Sequence, residues 1–238
     1  MMNSKKITIC ACSSRAFMPK LKVAQAATAL REAGYEVELI ADLCEVAVTE
    51  PHRMATIAQT TVVGCHQRAL KSLFESAGCE VFNLIDVRSQ SVGEALKQLC
   101  VGGGEMLHAD DDLLSQIEAF EVKAGTDAWY PVLDRDKCVG CGKCHDFCLF
   151  GVYTMENGAV KVSQPLNCKN NCPACARVCP VGAVIFAKHE QSPINGGDAQ
   201  TGEGTTFKID MNEVYNEALR ERLQYRRASV LLRKEDRR

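Results

Sequence analysis

Eight of the fourteen cysteines lie between residues 138 and 179, in two groups with nearly the same spacing. The groups are Cys138, Cys141, Cys144 and Cys148, followed by Cys168, Cys172, Cys175 and Cys179. Three closely spaced thiolates from one loop can bind three metal atoms of a polynuclear centre, and a fourth follows as the chain leaves. Structural zinc is the alternative, but zinc sites are usually built from separated pairs of ligands. The spacing therefore favours [4Fe–4S] clusters.

An internal repeat connects the two groups, because the segment after Cys148 aligns with the segment after Cys179 at an offset of 31 residues. The pattern resembles that of the bacterial two-cluster ferredoxins. That resemblance implies that each group gives three ligands to one cluster and its last cysteine to the other. The implied ligands of the first cluster are Cys138, Cys141, Cys144 and Cys179. Those of the second cluster are Cys168, Cys172, Cys175 and Cys148. Leu149 replaces the usual proline and the second group opens with one extra residue, but neither departure removes a ligand.

Four further cysteines each follow a predicted strand in the first hundred residues. The strands are predicted at Ile7–Cys10, Val37–Ala41 and Thr60–Val63, where short apolar runs occur. Because the carboxyl ends of parallel strands meet at one edge of a sheet, we expect the four thiols to lie close together there. They are Cys10, Cys12, Cys44 and Cys65. A third [4Fe–4S] cluster is the favoured interpretation; a four-thiolate zinc site, a thiol–disulfide switch and ordinary buried cysteines are the alternatives.

Several of these residues also form a recognisable sequence pattern. Cys10-Ala-Cys12, Cys44, the segment from Val62 to Arg68 and Asp86-Val87-Arg88 resemble the N-terminal domain of the A-type subunit family of heterodisulfide reductase. In that family the domain leads into a flavin-binding domain. Here no Gly-x-Gly-x-x-Gly motif follows a strand and no segment is long enough for such a domain, so no flavin is expected. Arg88 is expected either to neutralise a cluster or bind an anion, or to form a surface salt bridge.

The order of strand and helix signals predicts the fold class, which is α/β plus α+β. We expect a small parallel α/β sheet domain over residues 1–104 and a helical spacer over 105–131. A ferredoxin-like two-cluster domain is expected over 132–190, and a linker with a basic C-terminal helix over 191–238. Trp129 is expected to pack at the join, His145 to lie on an exposed loop, and Cys79 and Cys100 to lie in the core.

Composition excludes several function classes. The net charge is −2, so no strongly basic surface for nucleic acid is indicated. The chain lacks an apolar run of about 18 residues and an apolar leader, so we expect neither a membrane span nor a signal peptide. Clustered thiols in such a chain are typical of metal binding in the cytoplasm rather than of a disulfide framework.

Clusters held by four thiolates have no open coordination position, so they exchange electrons without binding substrate. The sequence therefore predicts an iron–sulfur electron-transfer protein, a wiring subunit or carrier of a cytoplasmic redox complex with a redox protein as partner. The alternative is a ferredoxin-coupled reductase whose active site is the N-terminal cysteine edge. The sequence contains no recognisable acid–base set and leaves open whether the chain is an enzyme.

Overall fold

Four short apolar segments form a parallel sheet in the computed structural model of the chain, which describes residues 5–15, 17–101, 108–120 and 127–198. The strands are β1 (Lys6–Cys10), β2 (Glu36–Ile40), β3 (Thr61–Gly64) and β4 (Leu84–Asp86), in the order β2-β1-β3-β4. Ile7, Ile9, Val62 and Val63 are completely buried. Such continuous apolar runs are typical of parallel strands that are covered on both faces. The predicted parallel sheet is confirmed.

Six helices accompany this sheet within the described ranges. They are α1 (Lys20–Glu32), α2 (Leu43–Thr49), α3 (Pro51–Ile57), α4 (Gln67–Ser76), α5 (Val92–Leu96) and α6 (Asp111–Glu118). From β1 the chain passes to β2 on one side and then returns past β1 to β3. Right-handed crossovers therefore place α1 and α4 on opposite faces and leave a topological switch point between β1 and β3. Ligands bind at such switch points in open parallel sheets.

Two of these helices, α2 and α3, are not predicted from the sequence. Each has seven residues, too few to establish a helical hydrophobic period. Their ends nevertheless have local causes. Asp42 caps α2 by accepting hydrogen bonds from the backbone N–H groups of Cys44 and Glu45, and Pro51 occupies the first turn of α3.

The end of the α/β half differs from prediction at one cysteine. Helix α5 ends at Leu96 and continues as a short 3₁₀ turn over Lys97–Leu99. Cys100 follows with a left-handed backbone and is exposed, so its prediction as a core residue is wrong. Cys79 is partly buried and packs against the apolar core.

The C-terminal half repeats one short unit. Its elements are β5 (Val132–Leu133), α7 (Lys143–Phe147), β6 (Tyr153–Glu156), β7 (Ala159–Val162), α8 (Ala174–Val178) and β8 (Val184–Ile185). Strand β5 pairs with β8 and β6 pairs with β7, both antiparallel, and α7 and α8 are separated by the 31-residue offset of the sequence repeat. Asn157 and Gly158, both with positive φ, form the hairpin turn between β6 and β7. We call residues 132–190 the cysteine module.

The two-stranded sheet of β5 and β8 separates two apolar cores. Val132 and Ile185 pack into the core of the α/β half, whereas Leu133 and Val184 pack into the core of the cysteine module. Alternate residues of a strand point to opposite faces, so one small sheet serves both cores. All described residues consequently belong to one compact unit.

A buried ion pair holds the two halves together. The Lys188 Nζ donates to Asp42 Oδ2 at 2.6 Å, and both side chains are only 3% exposed. Lys188 also donates to the backbone carbonyl of Asp127, and Ser14 donates to Asp42. Every charge in this pair is therefore hydrogen-bonded, as buried charges require.

Arg68 makes a second connection between the halves, from helix α4. Its Nε donates to Asp134 Oδ2 at 2.6 Å, and its other nitrogens donate to the carbonyls of Gly182 and Pro193. Asp134 follows β5 and Gly182 precedes β8, so both lie at the same end of this sheet. The Arg68 side chain therefore anchors that end of the cysteine module to α4.

The segment between the halves is packed rather than extended. Helix α6 lies against α1 with Leu113 and Ile117 buried. Trp129 is 7% exposed and stacks on Phe186 with ring centroids 5.1 Å apart, which confirms its predicted packing at the join. The exact domain boundaries stay predictions. Residues 102–107 and 121–126, in and next to the predicted spacer, and residues 199–238, which include the predicted basic C-terminal helix, lie outside the described residues.

No helix in the described part of the chain has the length and apolarity needed to cross a membrane.

The Lys188–Asp42 pair provides a test of this arrangement. Lys188→Met should lower the free energy of unfolding by about 3–5 kcal/mol, because it leaves a buried carboxylate without its counterion. The double variant Lys188→Met/Asp42→Asn should recover much of the loss, since Asn keeps the α2 cap without a charge. Urea unfolding of anaerobically purified proteins measures both; equal losses in the single and double variants would contradict the role assigned to the pair.

Candidate iron–sulfur centres

The four predicted ligands of the second cluster line one cavity. Its volume is about 140 Å³, several times the roughly 30 Å³ that a water molecule occupies in the liquid. Around the cysteines the walls are mostly apolar, with Phe147, Leu149, Phe150 and Val152 among the lining residues. The cysteines are Cys148, Cys168, Cys172 and Cys175. A polynuclear thiolate-bound centre fits this combination of space, donors and low polarity.

Short helices and turns position these four thiols. Cys175 lies in α8, and Cys148 caps the end of α7. Cys168 follows a 3₁₀ turn at Pro165–Asn167. Burial is the main cause that raises the pKa of the Cys168 thiol to about 12, and the nearby Cys172 and Cys148 contribute to the rise. Such thiols have to lose their protons to bind iron, so metal binding and deprotonation are coupled here.

A tyrosine contacts the same site. The Tyr153 hydroxyl donates a hydrogen bond to Cys175 Sγ over 3.0 Å, and both side chains are buried. Burial is the main cause that raises the pKa of Cys175 to about 12, while the Tyr153 hydrogen bond opposes the rise. Burial, with the Cys175 thiolate beside it, raises the pKa of the Tyr153 phenol well above its usual range. The phenol therefore stays protonated and acts as a donor.

Three of the predicted ligands of the first cluster, Cys138, Cys144 and Cys179, lie near one another and come from both halves of the repeat. Cys144 lies in α7 and Cys179 caps the end of α8. Burial raises the pKa of Cys144 to about 11, with contributions from the neighbouring Cys179 and Cys138 thiolates. The Cys179 sulfur accepts a hydrogen bond from the backbone N–H of Ala183 at 3.2 Å. Cys141 lies exposed on the same loop as Cys138.

The loop around the first cysteines depends on a glycine. Gly140 has φ +67°, and a Cβ atom there would lie 2.8 Å from the carbonyl oxygen of Gly158 in the hairpin turn. Its counterpart in the repeat is Asn171, which also has a positive φ, and asparagine tolerates this conformation better than most residues. Both cysteine loops thus turn in the same way despite their different spacing.

The fourth cysteine of each group lies with the opposite group. Cys148 borders the cavity of Cys168, Cys172 and Cys175, while Cys179 lies beside Cys144. This is the placement that the ferredoxin resemblance implies, and the assignment of ligands to clusters stays a prediction. Within the described ranges, no three His, Cys, Asp or Glu side chains are placed to hold a single metal ion. A cubane does not need such convergence, since each of its thiolates binds a different iron atom.

The N-terminal cysteines meet at the carboxyl edge of the parallel sheet, as the strand order predicts. Cys10 ends β1, and Cys12 follows it with an unusual φ of 49°. Cys65 follows β3 and Cys44 lies in the first turn of α2. Cys10 and Cys65 therefore flank the switch point between β1 and β3. The Cys10 sulfur also accepts a hydrogen bond from the backbone N–H of Leu43 at 3.3 Å.

The pKa values of these four thiols depend partly on one another, which indicates that the thiols lie near each other. Burial raises the pKa of Cys65 to about 12, with Cys12 as the next contributor. Burial also raises the pKa of Cys44, to which Cys65 and Cys10 contribute. Cys12 has its pKa raised to about 11 by burial, an effect that nearby cationic side chains oppose. Three of the four residues are buried and Cys44 is partly buried, and whether the set binds a cluster stays a prediction.

Two of these cationic side chains connect the set to the cysteine module. Lys188 is the buried partner of Asp42, and Arg88 donates to the carbonyls of Ala187 and His189 at 2.8 Å each. The Arg88 guanidinium also lies 4.6 Å from the centre of the Phe17 ring. Arg88 is therefore an internal connector, and the expected surface salt bridge is not its role among the described residues.

Trp129 and Tyr130 connect the N-terminal set with the second cluster site. The Tyr130 hydroxyl donates to the Cys44 carbonyl at 2.7 Å, and the Trp129 indole N–H donates to the Cys172 carbonyl at 3.4 Å. Sequence reasoning missed Tyr130, Tyr153 and Lys188 as site residues. Of these three, only Tyr153 could have been found from the sequence. It differs from its counterpart in the repeat, Val184, by carrying a hydroxyl group.

The His145 side chain points to Asp146, with its ring nitrogen 2.9 Å from Asp146 Oδ1, while its backbone hydrogen-bonds to the Cys144 sulfur. The residue lies on helix α7 and its side chain is partly exposed. The predicted loop position is therefore wrong.

Comparison with known proteins gives the same picture for the cysteine module. The 4Fe-4S binding domain family matches residues 131–152. An uncharacterized ferredoxin of Methanocaldococcus jannaschii is 42% identical over 66 residues, which cover 28% of this chain and 45% of that protein. The chain thus spans about half the length of this relative.

Shorter relatives are covered more fully. The pyruvate synthase subunit PorD of Methanocaldococcus jannaschii is 36% identical over 74 residues, which cover 29% of this chain and 84% of that protein. Ferredoxin-3 of a Nostoc species is 32% identical over 78 residues, with 24% of this chain and 79% of that protein covered. Because these relatives are more than 30% identical and are covered over more than two thirds of their length, the chain belongs to the 4Fe-4S ferredoxin family.

Proposed function

We propose that this iron–sulfur electron-transfer protein is a wiring subunit or carrier of a cytoplasmic redox complex, and that it passes electrons between two or three [4Fe–4S] clusters. The observation that carries the proposal is the cavity of about 140 Å³ lined by Cys148, Cys168, Cys172 and Cys175. Clusters in such sites have all four iron atoms bound by protein thiolates and supply one-electron transfer when present. The rest of the chain then has to position them and a partner.

The proposed ligand sets are those that the repeat brings together. Cys138, Cys141, Cys144 and Cys179 would hold the first cluster, and Cys168, Cys172, Cys175 and Cys148 the second. Support comes from the placement of Cys148 with the second group and Cys179 with the first. Because each half of the repeat contributes to both sites, the two clusters would lie close together and exchange electrons directly.

A third [4Fe–4S] cluster is proposed at Cys10, Cys12, Cys44 and Cys65. The support is their convergence at a topological switch point, their burial, and their mutual electrostatic coupling. Lys188 and Arg88 place positive charge beside these thiols. Positive charge of this kind would offset the negative charge of four thiolates around a cluster.

The α/β half is proposed to be a domain like the N-terminal one of the heterodisulfide reductase family named above, over residues 1–104. It would be joined through 105–131 to the cysteine module and its C-terminal extension at 191–238. No flavin is proposed. A redox protein is the proposed partner. Two relatives support such a partner, since their names are pyruvate synthase subunit PorD and formate dehydrogenase iron-sulfur subunit.

A reductase active site at the N-terminal cysteine edge is less well supported. Cys10, Cys12 and Cys65 are buried, and Lys188, Arg88 and Tyr130 connect that edge to the cysteine module. A disulfide substrate would have to displace these contacts before it reached a thiol.

Iron and acid-labile sulfide per chain measure the number of clusters. We expect about twelve of each in protein purified without oxygen, since each cubane contains about four. Cys65→Ser should reduce both counts to about eight, whereas Cys100→Ser, an exposed cysteine outside the sets, should leave them unchanged. About eight atoms of each in the wild type, with no change in Cys65→Ser, would remove the third cluster.

Alanine variants within one cysteine group test the crossed ligand sets. Cys148→Ala and Cys175→Ala should damage the same cluster and leave the same electron paramagnetic resonance (EPR) spectrum. Cys144→Ala should damage the other cluster, although it lies only four residues from Cys148. If Cys148→Ala instead gave the spectrum of Cys144→Ala, each group would hold its own cluster and the crossed assignment would be wrong.

Turnover of a disulfide separates the wiring role from the reductase. Protein kept reduced by an excess of chemical reductant under argon should form thiol from oxidised glutathione no faster than the reductant alone, because Cys10, Cys12 and Cys65 are buried. The matched sample is Cys65→Ser, which should behave in the same way. Sustained thiol production by the wild type that disappears in Cys65→Ser would favour the reductase.

A further inference from the structure

The two halves of the cysteine module differ at one buried position. Tyr153 begins β6, and its counterpart at the 31-residue offset is Val184, which begins β8. Both side chains are buried in the same core, at 5% and 2% exposure. The repeat therefore places a hydroxyl beside one set of cysteines and a methyl group at the equivalent place beside the other.

The hydroxyl reaches a predicted cluster ligand. Tyr153 Oη lies 3.0 Å from Cys175 Sγ, and the cysteine is 7% exposed. Tyr153 also interacts electrostatically with Cys144 and Cys148, so its ring lies near predicted ligands of both clusters. Pairing of Tyr153 with Val162 across the β6–β7 ladder fixes the backbone from which the ring projects.

We propose that Tyr153 is a positioning residue whose hydroxyl hydrogen bond raises the reduction potential of the second cluster. The inference rests on the proposed function, since it requires a cluster at Cys148, Cys168, Cys172 and Cys175. Reduction adds negative charge that is shared by the cluster sulfurs. A donor aimed at a sulfur stabilises this reduced state more than the oxidised one, and hydrogen bonds to sulfur are among the factors that set cluster potentials.

The buried position makes this hydrogen bond more effective. In a low-dielectric interior a hydrogen bond to a charged acceptor is stronger than in water. The redox step itself is simple: one electron arrives from the redox partner, the cluster is reduced by one electron, and no covalent bond forms or breaks. The proton stays on the Tyr153 oxygen throughout.

The first cluster receives a different kind of donor. Cys179 Sγ accepts from the backbone N–H of Ala183, which any residue other than proline would supply at that place. The donor to Cys175 is a side chain, so a single substitution can remove it without changing the backbone. The two clusters therefore become chemically distinct although their ligand spacing is similar.

Tyr153→Phe in the full-length protein, purified without oxygen, tests the proposal. Redox titration followed by EPR should show one cluster potential shifted downward and the other unchanged. Tyr35→Phe is the matched control, because it removes a partly buried hydroxyl that donates to the Leu99 carbonyl far from the cysteine module. It should leave both potentials at the wild-type values. Equal shifts in the two variants, or no shift in Tyr153→Phe, would overturn the proposal.

A second variant strengthens the donor instead of removing it. A fluorinated tyrosine at position 153 is a stronger acid and donor, so the same potential should move upward. Exchange into D₂O should shift the iron–thiolate resonance Raman bands of the wild type. The same exchange should shift these bands less in Tyr153→Phe. A downward shift of the potential with the fluorinated tyrosine would contradict the role of the hydroxyl. A D₂O effect in Tyr153→Phe as large as that in the wild type would contradict it as well.

Iron analysis of the same samples distinguishes two kinds of failure. An unchanged iron content in Tyr153→Phe, with unchanged potentials, would reject the tuning role and leave the proposed function intact. If Cys175→Ala contained as much iron as the wild type, no second cluster would be present at that site, and this inference would fall with it.

Discussion

The buried pair of Lys188 and Asp42 is the interaction on which the arrangement of the two halves depends. Each residue comes from a different half, 146 residues apart in the chain, and neither charge has access to water. A buried charge without a partner is strongly destabilising, so each half can bury its residue only in the presence of the other. Association of the halves is therefore specified by charge and not by apolar contact alone.

Closure of this interface determines what the N-terminal cysteines can do. At an open sheet edge, four thiols would be accessible to solutes. The cysteine module instead lies across this edge. Arg88 donates to a backbone carbonyl of the module, and Tyr130, just before the module, donates to the Cys44 carbonyl. Trp129 and Tyr130 then join the backbone at Cys44 to the backbone at Cys172 through two hydrogen bonds. Among the described residues, these two bonds link the proposed third cluster site to the proposed second one.

Sequence analysis predicted the features that depend on local pattern. The cysteine spacing identified both groups, and the apolar runs identified β1, β2 and β3 closely enough to place Cys10, Cys44 and Cys65 at one edge. Helices α2 and α3 were missed because seven residues give too short a period. Lys188 could not be predicted, since its importance comes from Asp42 and the Asp127 carbonyl, which only the fold brings near it. Cys100 was predicted in the core because it belongs to neither cysteine pattern, but it lies exposed with a left-handed backbone.

Comparison of the two halves of the repeat distinguishes positions where the backbone conformation restricts the residue type from positions where the side chain varies. Gly151 and Gly182 occupy equivalent positions with similar positive φ values, and Gly140 matches Asn171 in the same conformation. These positions have stayed alike because few residues tolerate that geometry. Positions without such a constraint differ: Leu149 is 92% exposed where the other half has Pro180, and Tyr153 is opposed to Val184. A duplicated scaffold thus keeps the loops that present thiolates while it varies the side chains around them. Variation of this kind gives the two proposed cluster sites different surroundings.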